Sequence, residues 1–188
     1  MTITAWVLDE SKVAEDQRNA GHTEPVQMVP LDVIQKLGVL SWSGITGPDD
    51  PRLETIKVER GYTYTDIVNV SEGKLPGYHE KLASFFIEHI HYDEEIRYCI
   101  EGSGYFDVRG FNDEWIRIQL QAGDLIVLPE GIYHRFTPDS GDYILAMRLF
   151  VGEPVWTPYN RDAIDQANDK SRLKYVQTFL GEATATTA

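Results

Sequence analysis

Apolar and polar positions along this chain change period twice. Up to Phe85 the apolar residues recur mostly at helical spacing. Leu31, Ile34 and Leu37, followed by Gly38, predict a short helix with a glycine stop. Asp50-Pro51 supplies an N-cap and a proline at the first helical position. It predicts a helix that carries Leu53 and Ile56 and ends near Gly61. After Pro76-Gly77, the residues Tyr78, Leu82 and Phe85 predict a third helix. Residues 2–8 are β-rich and read as a strand, and residues 9–25 as a polar loop. Residues 62–70 stay open: their β-branched content favours a strand, while Asp66-Ile67-Val68 after a threonine-rich start allows a helix.

From Phe86 the period falls to two. Ile96, Tyr98 and Ile100 alternate with Arg97, Cys99 and Glu101. Gly102-Ser103-Gly104 then reads as a turn, with residues 105–109 returning as a strand. Further strands are expected over 115–120, 124–128, 134–137 and 143–150, each bounded by Gly, Pro, Asn or Asp. Many short strands with frequent turn signals predict a mainly β fold, an antiparallel barrel or sandwich. Beyond Pro158 the pattern turns polar and helical over residues 163–175. Residues 181–188 are small and polar, as in a disordered tail. The expected organisation is one domain over 1–180, with a helical N-terminal third (1–84), a β core (85–153) and a C-terminal extension (154–180).

Composition narrows the partners. The 188 residues suffice for one domain with a real core. Thirty acidic against seventeen basic side chains give a formal charge of -13, which repels nucleic acid and anionic membranes, so neither is expected as a partner. No run approaches the ~18 apolar residues of a spanning helix. The opening Met1-Thr2-Ile3-Thr4-Ala5-Trp6 does not read as a signal peptide. A single cysteine, Cys99, excludes an intramolecular disulfide and suits a reducing compartment. The cytoplasm is the expected location, and the size leaves a nuclear share open.

The chemistry concentrates in two stretches. Glu88-His89-Ile90-His91-Tyr92-Asp93-Glu94-Glu95 places two histidines two apart with carboxylates behind them. Pro129-Glu130-Gly131-Ile132-Tyr133-His134 brings a third histidine after a turn signal. On a strand, residues two apart point the same way, so His89 and His91 can face one ion, and Glu95 keeps their parity. A His-x-His pair alone is compatible with a surface coincidence; the added glutamate and the distant histidine give the pattern its weight. Three imidazoles and a carboxylate suit Fe(II), Ni(II), Mn(II), Co(II) or Zn(II). Octahedral coordination by four such ligands leaves two positions open, the shape of a catalytic site.

The spacing His89-x-His91-x-x-x-Glu95-x6-Gly102 and Gly123-x5-Pro129-x-Gly131-x-x-His134 resembles the two motifs of the cupin superfamily. The longer string from Glu88 to Arg109, with Pro-Glu-Gly-Ile-Tyr-His-Arg-Phe-Thr, resembles the acireductone dioxygenase family. The resemblance runs more loosely from Ala5-Trp6 to about Glu153 and leaves the tail uncovered. Ala83 stands where a cupin glycine is usual, and Pro138 where an asparagine often falls; neither is a ligand position. The resemblance implies a cupin-type double-stranded β-helix (jelly roll) with flanking, mostly N-terminal helices. It implies His89, His91, Glu95 and His134 as ligands of one Fe(2+) or Ni(2+) per monomer. The implied activity is O2-dependent cleavage of acireductone in methionine salvage. The iron form gives formate and 4-methylthio-2-oxobutanoate; the nickel form gives formate, CO and 3-methylthiopropionate. Open alternatives are another metal-dependent cupin dioxygenase or isomerase, and a non-catalytic metal-binding module.

Parity extends the site. If Glu95 faces inward, so does Arg97, and an inward arginine needs an anionic partner. An enediolate substrate would be one. The resemblance implies roles near substrate for Arg97, Arg148, Phe85 and Phe136, with Arg97 and Glu95 as the catalytic candidates. The bland readings are a solvated Arg97, an Arg148 held in a salt bridge, and two core phenylalanines. Cys99 reads as a small inert hydrophobe. His22 and His79 fall outside the motifs, and Asp93 and Glu94 read as turn or surface residues.

Overall fold

The structure, a computed structural model, describes residues 3–181. In chain order its elements are β1 (Thr4–Val7), α1 (Leu31–Lys36), β2 (Leu40–Trp42), α2 (Pro51–Arg60), β3 (Tyr64–Ser71), α3 (Tyr78–Phe85) and β4 (His89–Ile90). They continue as β5 (Glu95–Arg109), β6 (Trp115–Gln121), β7 (Leu125–Leu128), β8 (His134–Pro138), β9 (Tyr143–Phe150), β10 (Tyr159–Asn160) and α4 (Lys170–Tyr175). All the strand pairings are antiparallel.

β5 belongs to both faces of the barrel. Its first half pairs with β7 and β9, and its second half with β6 and β8. One face therefore reads β2-β7-β5-β9-β3 and the other β1-β6-β5-β8-β4-β10. The turn expected at Gly102-Ser103-Gly104 is absent; the strand runs on. A register shift between Cys99 and Glu101 bends it from one face to the other. Gly102 takes φ +73°, and a Cβ there would overlap the Tyr143 carbonyl oxygen, so the glycine serves a crossing rather than a reversal.

The open stretch 62–70 resolves as strand from Tyr64 onward. β3 pairs residue for residue with β9 from Tyr64↔Phe150 to Ser71↔Tyr143, a long-range ladder that local propensity could not reveal. With β1 and β2, this makes the N-terminal third a mixture of strands and helices rather than helical throughout. The helix expected over 163–175 begins only at Lys170. Asp165 accepts from Ala167 N and Asn168 Nδ2, which holds the preceding residues in a turn. Asp169 then caps α4 by accepting from Arg172 N. The expected tail falls, from residue 182 onward, outside the described residues.

α2 fixes which side of β5 is the inside. Asp50 caps it and Gly61 ends it in the left-handed conformation. Its Leu53 and Ile56 pack with Ile96, Tyr98, Leu125 and Val127 on the outer side of the barrel wall. The alternate residues Glu95, Arg97 and Cys99 therefore point inward. Cys99 is fully buried, and burial pushes its thiol up to about 12, consistent with an inert side chain. On the opposite wall, the buried Asp107 carboxylate accepts from both Arg117 (2.7 and 2.8 Å) and Arg135 (2.9 Å). Arg117 also donates to the carbonyls of Gln17 and Asn19, pinning the 9–25 loop over that wall. Among the described residues, no helix is long and apolar enough to cross a membrane.

Candidate metal centre and its pocket

His89 stands on β4, opposite His134 of β8. β4 ends at Ile90, so strand parity does not carry His91. Its place is set by the Gly131 N–H, which donates to the His91 carbonyl (3.0 Å), and by the hydrogen bond of its own ring to Thr157. Glu95 opens β5. One ligand atom from each of His89, His91, Glu95 and His134 lies within 4.8 Å of all the others.

The three imidazoles share one device. Nδ1 of His89 donates to the Ile87 carbonyl (2.6 Å), that of His91 to the Thr157 carbonyl (2.8 Å) and that of His134 to the Ile132 carbonyl (2.9 Å). A carbonyl only accepts, so each Nδ1 carries the proton and each Nε2 turns a lone pair inward. Nε2 of His91 is 3.0 Å, and that of His134 3.5 Å, from Glu95 Oε2. His134 Nε2 is buried without a hydrogen-bond partner among the described residues. Lone pairs facing a carboxylate repel unless a cation lies between them. A divalent metal ion satisfies all four groups at once, so the donor set fits one.

The electrostatics agree. Burial lowers His89 to about 3, with the neighbouring His134 adding to the effect, so its imidazole is neutral and available as a ligand. For His91, burial lowers the pKa but the adjacent Glu95 carboxylate outweighs it and the pKa rises, so a positive charge, proton or metal ion, is favoured between the two groups. Burial would raise Glu95, but the Arg97 charge and the two histidines hold it well below the usual carboxylate range.

A cavity of about 260 Å³ is lined by three of the four ligands, His89, His91 and Glu95. Phe85, Arg97, Phe136 and Arg148 all line it, together with Trp156 and Pro158, which the sequence did not mark. Arg97 lies 3.4 Å from Glu95 Oε1 and donates to the Ile96 carbonyl (2.9 Å). Arg148 is its register partner on β9, and Asp66 on β3 is the register partner of Arg148. Arg148 donates to Asp66 through Nε (2.8 Å) and Nη2 (2.5 Å), while Tyr64 Oη donates to the same carboxylate (3.0 Å). Arg148 thus both forms a salt bridge and lines the cavity. Both guanidinium groups face the Trp156 ring, at 5.4 Å for Arg97 and 4.2 Å for Arg148. The far end is apolar: Phe136 meets Phe85 at 6.3 Å and Phe106 at 4.9 Å between ring centroids.

The remaining candidates lie elsewhere. His79 is exposed and faces Glu72 at 3.4 Å. His22 packs against Trp6, with ring centroids 4.4 Å apart and planes tilted by 41°. Glu94 binds Arg60 and Tyr62 rather than the metal cluster. Trp156 sits in a proline-bounded segment without periodicity, so no pattern marked it. Asp66 was legible only once residues 62–70 became a strand.

The sequence model of the ARD/ARD' family matches residues 4–158. The chain belongs to this family. An acireductone dioxygenase of Branchiostoma floridae is 55% identical over 172 residues, covering 92% of this chain and 96% of its own. Acireductone dioxygenase 2 of Oryza sativa subsp. indica is 57% identical over 161 residues, covering 85% and 80%. Among solved structures, the acireductone dioxygenase from Bacillus anthracis with a cadmium ion in its active centre superimposes with a TM-score of 0.61. It shares 26% identity and covers 72% of this chain and 93% of its own. An ARD/ARD' member with this architecture is a cupin-type barrel, and the chain is a metal-dependent dioxygenase that takes a small-molecule substrate and O2. The family match ends at Pro158, so β10 and α4 lie beyond it.

Proposed function

We propose that this chain is an acireductone dioxygenase of methionine salvage. The observation that carries this reading is the convergence of three imidazoles and Glu95 beside a cavity lined by two arginines and by phenylalanines. The metal ligands are His89, His91, Glu95 and His134, and the ion is Fe(2+) or Ni(2+), one per monomer. The bound ion would supply Lewis acidity and a template for the substrate oxygens.

The chain's own residues do the rest. Glu95 and Asp66 offset the charges of Arg97 and Arg148, so with a dication the pocket carries a net double positive charge. That matches the dianion of 1,2-dihydroxy-3-keto-5-methylthiopentene. Arg97, buried beside Glu95, offers charge-assisted hydrogen bonds to an enediolate oxygen. Arg148, fixed by Asp66, offers a second cation without being free to swing away. Trp156 lies against both guanidinium groups and helps fix their orientation. Phe85 and Phe136 wall the end suited to the methylthio tail. In this reading residues 1–180 act as one catalytic domain, monomeric, cytoplasmic with a nuclear share, and without nucleic acid or membrane partners.

Product analysis tests the reading. Protein stripped of metal and reloaded with Fe(2+) should convert the substrate under O2 to formate and 4-methylthio-2-oxobutanoate. The Ni(2+) form should give formate, CO and 3-methylthiopropionate. Neither product set forming above the buffer rate would sink the proposal.

A further inference from the structure

The chain beyond the barrel grips both metal-bearing segments from outside. On the first, β10 pairs with β4, Tyr159 opposite Ile90 and Asn160 opposite His89. Thr157 supplies the carbonyl that holds Nδ1 of His91. Arg161 N donates to the Glu88 carbonyl (3.0 Å), and its guanidinium donates to the Glu88 carboxylate (2.8 Å). Tyr92, the residue after His91, stacks on Tyr159 with centroids 3.9 Å apart and planes 8° from parallel. Its hydroxyl then donates to Asp169, the N-cap of α4 (2.7 Å).

On the second segment, Ser171 and Lys174 both donate to the Glu130 carboxylate at 2.6 Å. Arg172 donates to the Gly131 carbonyl (3.0 Å). The guanidinium groups of Arg161 and Arg172 lie over the Tyr133 ring, at 4.6 and 4.2 Å, immediately before His134. The approach is so close that a Cβ on Gly131, which has φ +78°, would overlap the Ser171 carbonyl oxygen. The arm is anchored in turn: Tyr175 is buried in the main core and donates to the Leu37 carbonyl (3.0 Å).

We propose that residues 157–175 form a clamp that positions the metal ligands, with Tyr159, Tyr92 and Asp169 as its latch. The proposal rests on the metal-site reading above. Without the arm, β4 has two residues and one pairing neighbour, too little to fix an imidazole. With it, His91 is oriented by an arm carbonyl, and both segments are held at the spacing the four ligands need. The latch residues are positioning residues; none of them lines the cavity. Most of the clamp lies past the family match, so metal retention in this chain depends on a part of it that the shared barrel does not define.

Metal release tests this on the full-length chain. Protein loaded with Ni(2+) is mixed with excess EDTA, and release is followed for the wild type, Tyr159→Ala, Tyr159→Phe and Tyr92→Phe. Release from Tyr159→Ala should be about 10-fold faster, the low end of what an outer ligand support contributes. Tyr159→Phe keeps the stacked ring and should release at the wild-type rate. Tyr92→Phe loses only the bond to Asp169 and should fall between. Wild-type rates in both Tyr159→Ala and Tyr92→Phe would overturn the clamp and leave the metal site standing. A wild type that retains no Ni(2+) would overturn the metal site, and the clamp with it. If Tyr159→Ala does not fold, Tyr92→Phe against Tyr159→Phe decides: faster release from the former supports the clamp, and equal rates overturn it.

Discussion

His89, His91 and His134 each spend one ring nitrogen on a backbone carbonyl, which leaves the other for the ligand cluster with Glu95. This fixes the tautomer before any ion arrives, so little ordering entropy is lost on binding. Glu95 is the anionic member, and its loss leaves three neutral ligands for a dication. Glu95→Ala should therefore lower metal content by at least an order of magnitude in affinity, measured by elemental analysis after dialysis; unchanged content would remove Glu95 from the ligand set. Arg97 belongs to the substrate rather than to the metal. Arg97→Ala should keep the metal while raising KM on the order of 10- to 100-fold, the loss of one charged hydrogen bond of about 1.5–3 kcal/mol. Steady-state kinetics on metal-saturated protein would show this. The inward placement of Glu95 and Arg97 was legible from the alternation with Ile96 and Tyr98, because those two must cover α2's Leu53 and Ile56. Asp66 and Trp156 were not legible: one depends on the β3–β9 ladder and the other lies in an aperiodic segment.

At the scale of elements, strands bounded by turn residues were readable from sequence, and β6 to β9 fall close to where the alternation placed them. Long-range features were not. β5 reads as two strands around Gly102-Ser103-Gly104 because glycine pairs usually reverse a chain; here the bulge lets one strand serve both walls. Gly102→Ala would combine a strained φ with a clash against Tyr143, and should destabilise the fold by about 2 kcal/mol or more in denaturant unfolding. The connection between β8 and β9 carries a second test. Asp142, at φ 56°, accepts from Tyr78 of α3 and lies 2.9 Å from Arg18 of the 9–25 loop. Burial would raise its pKa, but Tyr78 and Arg18 outweigh burial and hold it below the ordinary value of 3.8. A carboxyl depressed in the folded state stabilises above its unfolded pKa, and that stability is lost as pH falls through the folded value. Asp142→Asn, which tolerates the same backbone, should therefore melt lower than the wild type at neutral pH. The gap should close as pH falls below about 4; a gap independent of pH would remove Asp142 from the acid response.

At the scale of the whole molecule, barrel, arm and metal form one linked system. An ion that binds the folded chain and not the unfolded one stabilises it by mass action, about 2.7 kcal/mol at a hundredfold excess over Kd. For a chain of this length that is a rise in Tm of about 5–10 °C, to be read by calorimetry with and without Ni(2+). The excess of acidic side chains, net -13, draws cations to the surface generally, so stabilisation should vanish in His134→Ala if it arises at the site. The central claim, that this metal centre turns over acireductone, is tested most directly by the substrate's ultraviolet absorption under O2. Protein loaded with Fe(2+) or Ni(2+) should bleach it far faster than buffer, and the metal-stripped protein should not. Loss at the buffer rate with both metals would contradict the account.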